Sequence, residues 1–174
     1  APTLVIRRRS GRLERSYGER MSGDLPVRHR AAARVLMLDH AGRLLLLLGR
    51  DPASVGAPRW WFTPGGGRRP SERPEATVRR ECWEELGHVP ASVVGPIAHR
   101  RHEFAFNGVW LVQDTDYFAA RVARFTPAAQ QLSAVERRFL LGWRWWDRRE
   151  LSSSRETLYP AGLAQLADVA DLTG

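Results

Sequence analysis

The sequence predicts an α/β (α+β) domain, and three observations carry that expectation. Two apolar runs of strand length are joined by a turn-rich spacer, one longer segment is punctuated as a helix at both ends, and a second hairpin is marked by Asn107-Gly108.

In chain order, residues 32–38 and 43–48 are the apolar runs, separated by Asp39-His40-Ala41-Gly42, a spacer of hairpin length. After the polar loop 51–59, Trp60-Trp61-Phe62 has strand composition and is stopped by Thr63-Pro64 and three glycines. Pro74 suits a first helical turn and Gly87 a helix end, which predicts a helix over 74–86. Asn107-Gly108 tolerates the positive φ angles of a type I′ turn, so 102–106 and 109–112 form a hairpin. Residues 117–122 are expected as a strand, 132–140 as a short helix and 142–146 as a last strand. A closing helix over 159–172 places Leu163, Leu166 and Val169 or Ala170 on one face. Trp143, Trp145 and Trp146 are expected to close the core.

The 174 residues suffice for one domain with its own hydrophobic core. A hydrophobic content of 43% with seven tryptophans excludes a wholly disordered chain. The lone Cys82 excludes a disulfide framework and a cysteine-built zinc site. No apolar stretch approaches the roughly 18 residues that span a bilayer, and the N-terminus lacks the apolar segment of a secretory signal, so no membrane partner and a cytoplasmic location are expected. All 27 basic residues are arginine, and the net charge is +8. Absence of lysine, a single asparagine and two isoleucines resemble the bias of GC-rich coding. That bias selects arginine over lysine but not the sign of the charge, so anionic partners remain open: phosphorylated small molecules, nucleic acid or an acidic membrane surface. Residues 1–27 hold six arginines against three acidic residues, which is +3 of the total. They are expected as a flexible N-terminal extension, or as a start sequence preceding Met21, with a polyanion-binding arm as the alternative. Residues 28–174 form the domain.

Glu81, Glu84 and Glu85 stand at i, i+3 and i+4 of the predicted helix, so three carboxylates share one face. Like charges at that spacing destabilise a helix and raise one another's pKa, which calls for a compensating cation. A hard divalent metal such as Mg²⁺ takes oxygen ligands and keeps positions for water and phosphate. The preceding glycine-rich loop can bring backbone groups close to that metal or its phosphate. A solvated acidic face neutralised by Arg73, Arg79 and Arg80 is the plainer alternative.

The residues also satisfy a longer pattern, Gly66-x5-Glu72-x7-Arg80-Glu81-Cys82-x-Glu84-Glu85-x-Gly87-His88. It closely resembles the signature box of the Nudix hydrolase family. Seven fixed identities at ~6% usage each coincide by chance on the order of once in a million such sequences. The resemblance implies a mixed β-sheet sandwiched between helices, an α/β/α fold. It also implies Mg²⁺-dependent hydrolysis, with Mn²⁺ as a substitute ion, of a diphosphate bond in a nucleoside diphosphate-linked or nucleoside triphosphate substrate. By position, Glu84 and Glu85 are metal ligands, Glu81 is a ligand or the base that prepares water, and the Gly65 carbonyl is a further ligand. Arg80 and Glu72 orient the acids. His88 stands where the box has an aliphatic residue, and Arg69 where it often has an acid, which removes a ligand and adds a phosphate contact. Many relatives use an additional acid from the second half; Glu136 is the first candidate here, with Glu103, Asp114 and Asp116 behind it.

Arg50, at the end of the 43–48 strand, can reach a substrate phosphate with its guanidinium fork, or stand solvated. Trp60 and Trp61 alternate across a strand, so one packs inward while the other, assigned as Trp61, faces the pocket and stacks on a base, with packing roles for both as the alternative. Cys82 fills an aliphatic slot as a buried thiol, and His99 with His102 lacks a third zinc ligand. The proline or tyrosine that some relatives carry about sixteen residues past the box is absent, and the only asparagine lies in the hairpin turn, so the substrate stays open. The partner is a small nucleoside diphosphate derivative. Nucleic acid, bound or sensed by a protein of this fold or hydrolysed at an RNA 5′ end, is the alternative. Monomer and homodimer are both compatible with the sequence.

Overall fold

Strand β1 (Val27–Asp39) is the axis of the fold, and it shares its edges unequally. One edge pairs in parallel with β6 (Val109–Val122) from Val27↔Trp110 to Asp39↔Val122. The other is divided between β2 (Leu44–Arg50), joined only at Leu38↔Leu44, and β4 (Gly65–Gly67), joined from Ala32↔Gly67 to Arg34↔Gly65. The computed structural model from which this is read describes residues 25–53 and 56–173. Most of the arginine-rich extension, residues 1–24, lies outside the described residues.

From the hairpin the sheet parts into two leaves. The first runs β5-β6-β1-β4, with β5 (Val94–Phe106) antiparallel to β6. The second runs β7-β2-β3-β8, with β7 (Leu140–Trp146) on one edge of β2, β3 (Arg59–Phe62) on the other, and β8 (Leu158–Tyr159) parallel to β3. The turn at the junction is held by Asp39, whose Oδ1 accepts from the backbone N–H groups of Ala41 and Arg43 at 2.9 Å and whose Oδ2 accepts from Arg43 Nε at 2.7 Å.

Alternation along β1 and β2 divides the core in two. Ala33, Val35, Met37, Leu45 and Leu47 pack with Val78, Cys82 and Leu86 of α1 (Pro74–Leu86). Leu36, Leu38, Leu44 and Leu46 pack with Leu151 of α3 (Arg148–Ser153) and with Leu163, Leu166, Ala167 and Ala170 of α4 (Leu163–Thr173). The fold is therefore a mixed sheet between helices, as expected. Helix α2 (Ala134–Phe139) leads directly into β7. Among the described residues no helix is long and apolar enough to cross a membrane.

Helix α1 has the predicted bounds. Gly87 ends it at φ 65°, and a β-carbon there would stand 2.3 Å from the Ala128 carbonyl oxygen, so the position requires glycine on two counts. Asn107 and Gly108 both have positive φ, as a type I′ turn needs. Other expectations are corrected. Strand β6 is continuous through Gln113–Asp116, because Gln113 and Thr115 are buried and bonded to each other at 2.9 Å while Arg30 Nε donates to Gln113 Oε1 at 2.6 Å. Closing helix α4 starts at Leu163, since Tyr159 belongs to β8 and Pro160 and Gly162 intervene. Its buried face uses Ala170, with Val169 exposed, and Trp143 is exposed while Trp145 and Trp146 enter the two cores.

Candidate active site

The three-glycine strand β4 lies against the later turns of α1, where Glu81 and Glu85 stand, and this contact builds the site. A β-carbon on Gly66 would fall 2.6 to 2.8 Å from the carboxylate atoms of Glu81. Side-chain carboxylate and glycine backbone are in direct apposition. The Gly65 N–H donates to Glu85 Oε2 at 2.9 Å, which fixes the second buried acid.

Arg80 ties the remaining acids together. Its Nε and Nη2 donate to Glu72 Oε1 and Oε2 at 2.8 and 2.9 Å, a bidentate pair. Its Nη1 donates to Glu81 Oε1 at 2.6 Å and Glu84 Oε2 at 3.1 Å, and Nη2 also reaches the Gly67 carbonyl at 3.1 Å. Glu72 accepts further from Thr77 Oγ1 at 2.8 Å and the Arg69 N–H at 3.0 Å. Glu72 thus holds Arg80, and Arg80 holds Glu81.

The electrostatics separate the acids into two kinds. Hydrogen bonding from Arg80 holds the Glu72 carboxyl down at about 2. Burial raises Glu81 despite Arg80, and burial together with the charge of Glu81 pushes Glu85 up to about 8. Glu81 has Arg80 as its ion-pair partner, whereas Glu85 accepts from the Gly65 N–H. The other cationic neighbours are Arg30 and Arg34 of β1; burial, and then Arg34, lowers Arg30 to about 10.

Glu81, Glu85 and Gly65–Gly67 line a cavity of about 200 Å³. Arg30 and Arg34 line it from β1, Trp60 and Phe62 from β3, Phe104 and Phe106 from β5, and Tyr159 from β8. Ser133, Val135, Glu136 and Phe139 close it from the α2 region. Both leaves of the sheet contribute.

The structure thus brings Gly65, Glu81, Glu85 and Glu136 to the cavity. The Glu136 carboxylate also caps its own helix, accepting from the Ser133 N–H at 2.7 Å. Glu84 sits to the side, against Arg80 and against Arg69 Nη2 at 3.2 Å. Three assigned substrate contacts do not reach the cavity. Trp61 packs edge-on to Trp146 at 5.2 Å beside the second core, and Trp60 lines the cavity instead, because α1 and the site occupy the face to which Trp60 points. Arg50 is exposed, paired in register with Arg59 at the outer end of the second leaf. Arg69 is exposed and engaged with Glu84 and Glu72.

Arg30, Arg34 and Tyr159 are the residues that sequence reasoning missed. The available signal was Arg34, a lone charge inside an apolar strand. Cys82 is buried, and burial pushes its thiol up, as its structural reading requires. His99 pairs with Asp116 and His102 with Tyr117, so the two histidines have separate partners. His88 stacks on Phe125 with ring centroids 4.0 Å apart, filling its aliphatic slot with an aromatic ring.

The donor set fits a hard divalent cation. Every ligand type offered is oxygen, two carboxylates are buried side by side in one cavity, and glycine leaves the space in which the Glu81 carboxylate lies. Among the described residues no three acidic, histidine or cysteine side chains converge on one point, since Glu84 is turned to Arg80 and Arg69. Joining Glu81 and Glu85 requires Glu84 to exchange those partners.

Comparison with known proteins places these features in a family. The model of the NUDIX domain matches residues 28–168. No curated protein matches the chain. Among solved structures, a MutT protein from Methanosarcina mazei is similar at 21% identity over 87% of this chain and 97% of its own, with a TM-score of 0.54. A MutT NUDIX hydrolase from Burkholderia pseudomallei is 22% identical over 80% of this chain and 98% of its own, at 0.57. A NUDIX hydrolase from Nitrosomonas europaea is 18% identical over 83% and 90%, also at 0.57. These likenesses bear on the fold.

Proposed function

The chain belongs to the NUDIX family of hydrolases, which act on pyrophosphate bonds, and from that premise we propose that it is a Mg²⁺-dependent hydrolase of a nucleoside diphosphate-linked or nucleoside triphosphate substrate. The observation that carries the reading is the pair of buried carboxylates, Glu81 and Glu85, set against a glycine strand in a cavity that also holds Arg30 and Arg34. Mg²⁺, or Mn²⁺ in its place, would be held by Glu81, Glu84, Glu85 and the Gly65 carbonyl, and would supply neutralisation of phosphoryl charge and a lowered pKa for bound water.

The chain's own residues then have distinct tasks. Glu81 accepts the proton of the attacking water, and the Arg80–Glu72 pair keeps its carboxylate aimed. Glu85 is immobilised by the Gly65 N–H. Arg30 faces the charge of the diphosphate, and Glu136 borders the same space from α2. No covalent nucleophile is needed, because phosphoryl transfer depends chiefly on positioning and charge stabilisation. Residues 28–174 carry this activity, with residues 1–27 as an extension.

A panel of nucleoside triphosphates, dinucleotides, nucleoside diphosphate sugars and capped or triphosphorylated RNA, assayed with Mg²⁺ beside Glu85→Gln, tests the reading. Release of phosphate, pyrophosphate or a nucleoside monophosphate by the wild type alone supports it. Silence across the panel, with no Mg²⁺ binding by calorimetry, refutes it.

A further inference from the structure

Two polar side chains that line the cavity carry buried atoms with no protein partner. Arg34 is buried, with Nη1 donating to the Thr63 carbonyl at 2.6 Å and its guanidinium carbon 5.3 Å from the centre of the Phe62 ring. Its Nε–H has no protein partner. Tyr159 is buried too, with its ring 4.8 Å from His102 and 6.0 Å from Phe104, and its hydroxyl has no protein partner. Both side chains line the cavity. Buried donors are normally paired, since leaving one unmade forfeits its hydration with nothing in return. Two such atoms, on residues from different leaves of the sheet that line one cavity, mark where a ligand's polar group belongs.

The surroundings define that ligand. Trp60, Phe62, Phe104, Phe106 and Phe139 give the cavity aromatic walls, which favour a flat ring over a hydrated phosphate. At about 200 Å³ the cavity is below the ~300–1,000 Å³ of sites that enclose a whole drug-sized ligand, so it admits a ring while the phosphates stay at the glycine strand. An arginine Nε–H can only donate, and a phenol can donate alongside it, so the ring edge they meet must carry an acceptor.

We infer that Arg34 and Tyr159 read a carbonyl oxygen on the ring of the substrate, so that the enzyme selects keto-edged over amino-edged nucleobases. The inference rests on the hydrolase reading for the phosphate end of the same cavity.

The test compares kcat/KM for two pairs differing at that edge, inosine against adenosine triphosphate and uridine against cytidine triphosphate, using the full chain with Mg²⁺. The expected preference is roughly 10- to 100-fold for the keto member. Tyr159→Phe, which removes only the unpaired hydroxyl, and Arg34→Lys, which keeps a donor for Thr63 but loses Nε, each bring the ratios toward one. Thermal melting checks that Tyr159→Phe is folded. Calorimetric binding of inosine and adenosine monophosphates without metal gives the same comparison independently of turnover, so absent hydrolysis would sink the hydrolase reading and leave the base preference decided by binding. Ratios near one in the wild type, ratios unchanged in both variants, or an equal loss on all four substrates in Arg34→Lys, the mark of phosphate contact, would overturn the assignment.

Discussion

Gly66 and Glu81 occupy the same place: the position a β-carbon on Gly66 would take is filled by the Glu81 carboxylate, at 2.6 Å from Oε1. A methyl group there meets the tip of a side chain, which can swing aside at little cost to folding. Gly66→Ala is therefore expected to melt near the wild type while losing roughly 100-fold in kcat/KM, because the displaced group is an acid whose aim the reaction needs. Gly65→Ala is the contrasting case. Its β-carbon would stand 2.3 Å from the Ala33 carbonyl on a backbone at φ +123°, and a loss of roughly 1–3 kcal/mol or more in stability is expected by denaturant titration. Equal stability losses in both variants would contradict this distinction.

The Glu72–Arg80 bond predicts non-additivity. Glu72→Gln and Arg80→Lys each remove one half of the bidentate pair that steadies Glu81. A double-mutant cycle on stability is expected to return a coupling of about 0.5–3 kcal/mol, and kcat in the double variant should fall little below that in either single one. Strictly additive effects on both would mean that the two residues act separately.

Hydrolysis should also survive removal of the arginine-rich segment. A chain beginning at Met21 keeps Pro26, whose carbonyl accepts from the Trp110 N–H at 3.0 Å, and Val27, where β1 starts. Its melting temperature and turnover are expected to match those of the full chain. Any salt-dependent affinity for RNA that disappears with the segment assigns that affinity to residues 1–20.

Acid should weaken the fold partly through His102. Burial, and then the charges of Arg34 and Arg100, lower its imidazole from 6.5 to about 4. The unfolded chain therefore binds the proton more readily, and this contribution to stability is complete above about 6.5 and lost as the pH falls toward 4. His102→Gln is expected to flatten the stability difference across that window. Parallel pH curves for variant and wild type would remove His102 from the account.

What was legible in the sequence was what punctuation and spacing encode. Pro74 and Gly87 delimit α1 because one tolerates a first helical turn and the other a left-handed end, and the acids between them inherit their positions from 3.6-residue geometry. Parity could say that Trp60 and Trp61 point oppositely, yet only the placement of α1 decides which one meets the site. Strand β6 hid its continuity because its polar residues are satisfied by Arg30 and by one another, contacts distant in sequence. Two-residue β8 has no period to detect, and Tyr159 was lost with it. Arg34 was visible as an oddity, a charge inside Ala33-Arg34-Val35-Leu36, whose meaning needed the second leaf.

The parting of the sheet beyond Leu38↔Leu44 sets how the cavity is lined. Acids and glycines come from α1 and β4, docked on the first leaf, whereas the apolar walls are shared, with Phe104 and Phe106 beside Arg34 on the first leaf and Trp60, Phe62 and Tyr159 on the second. The single pairing at Leu38↔Leu44 therefore ties the spacing of both walls to one strand.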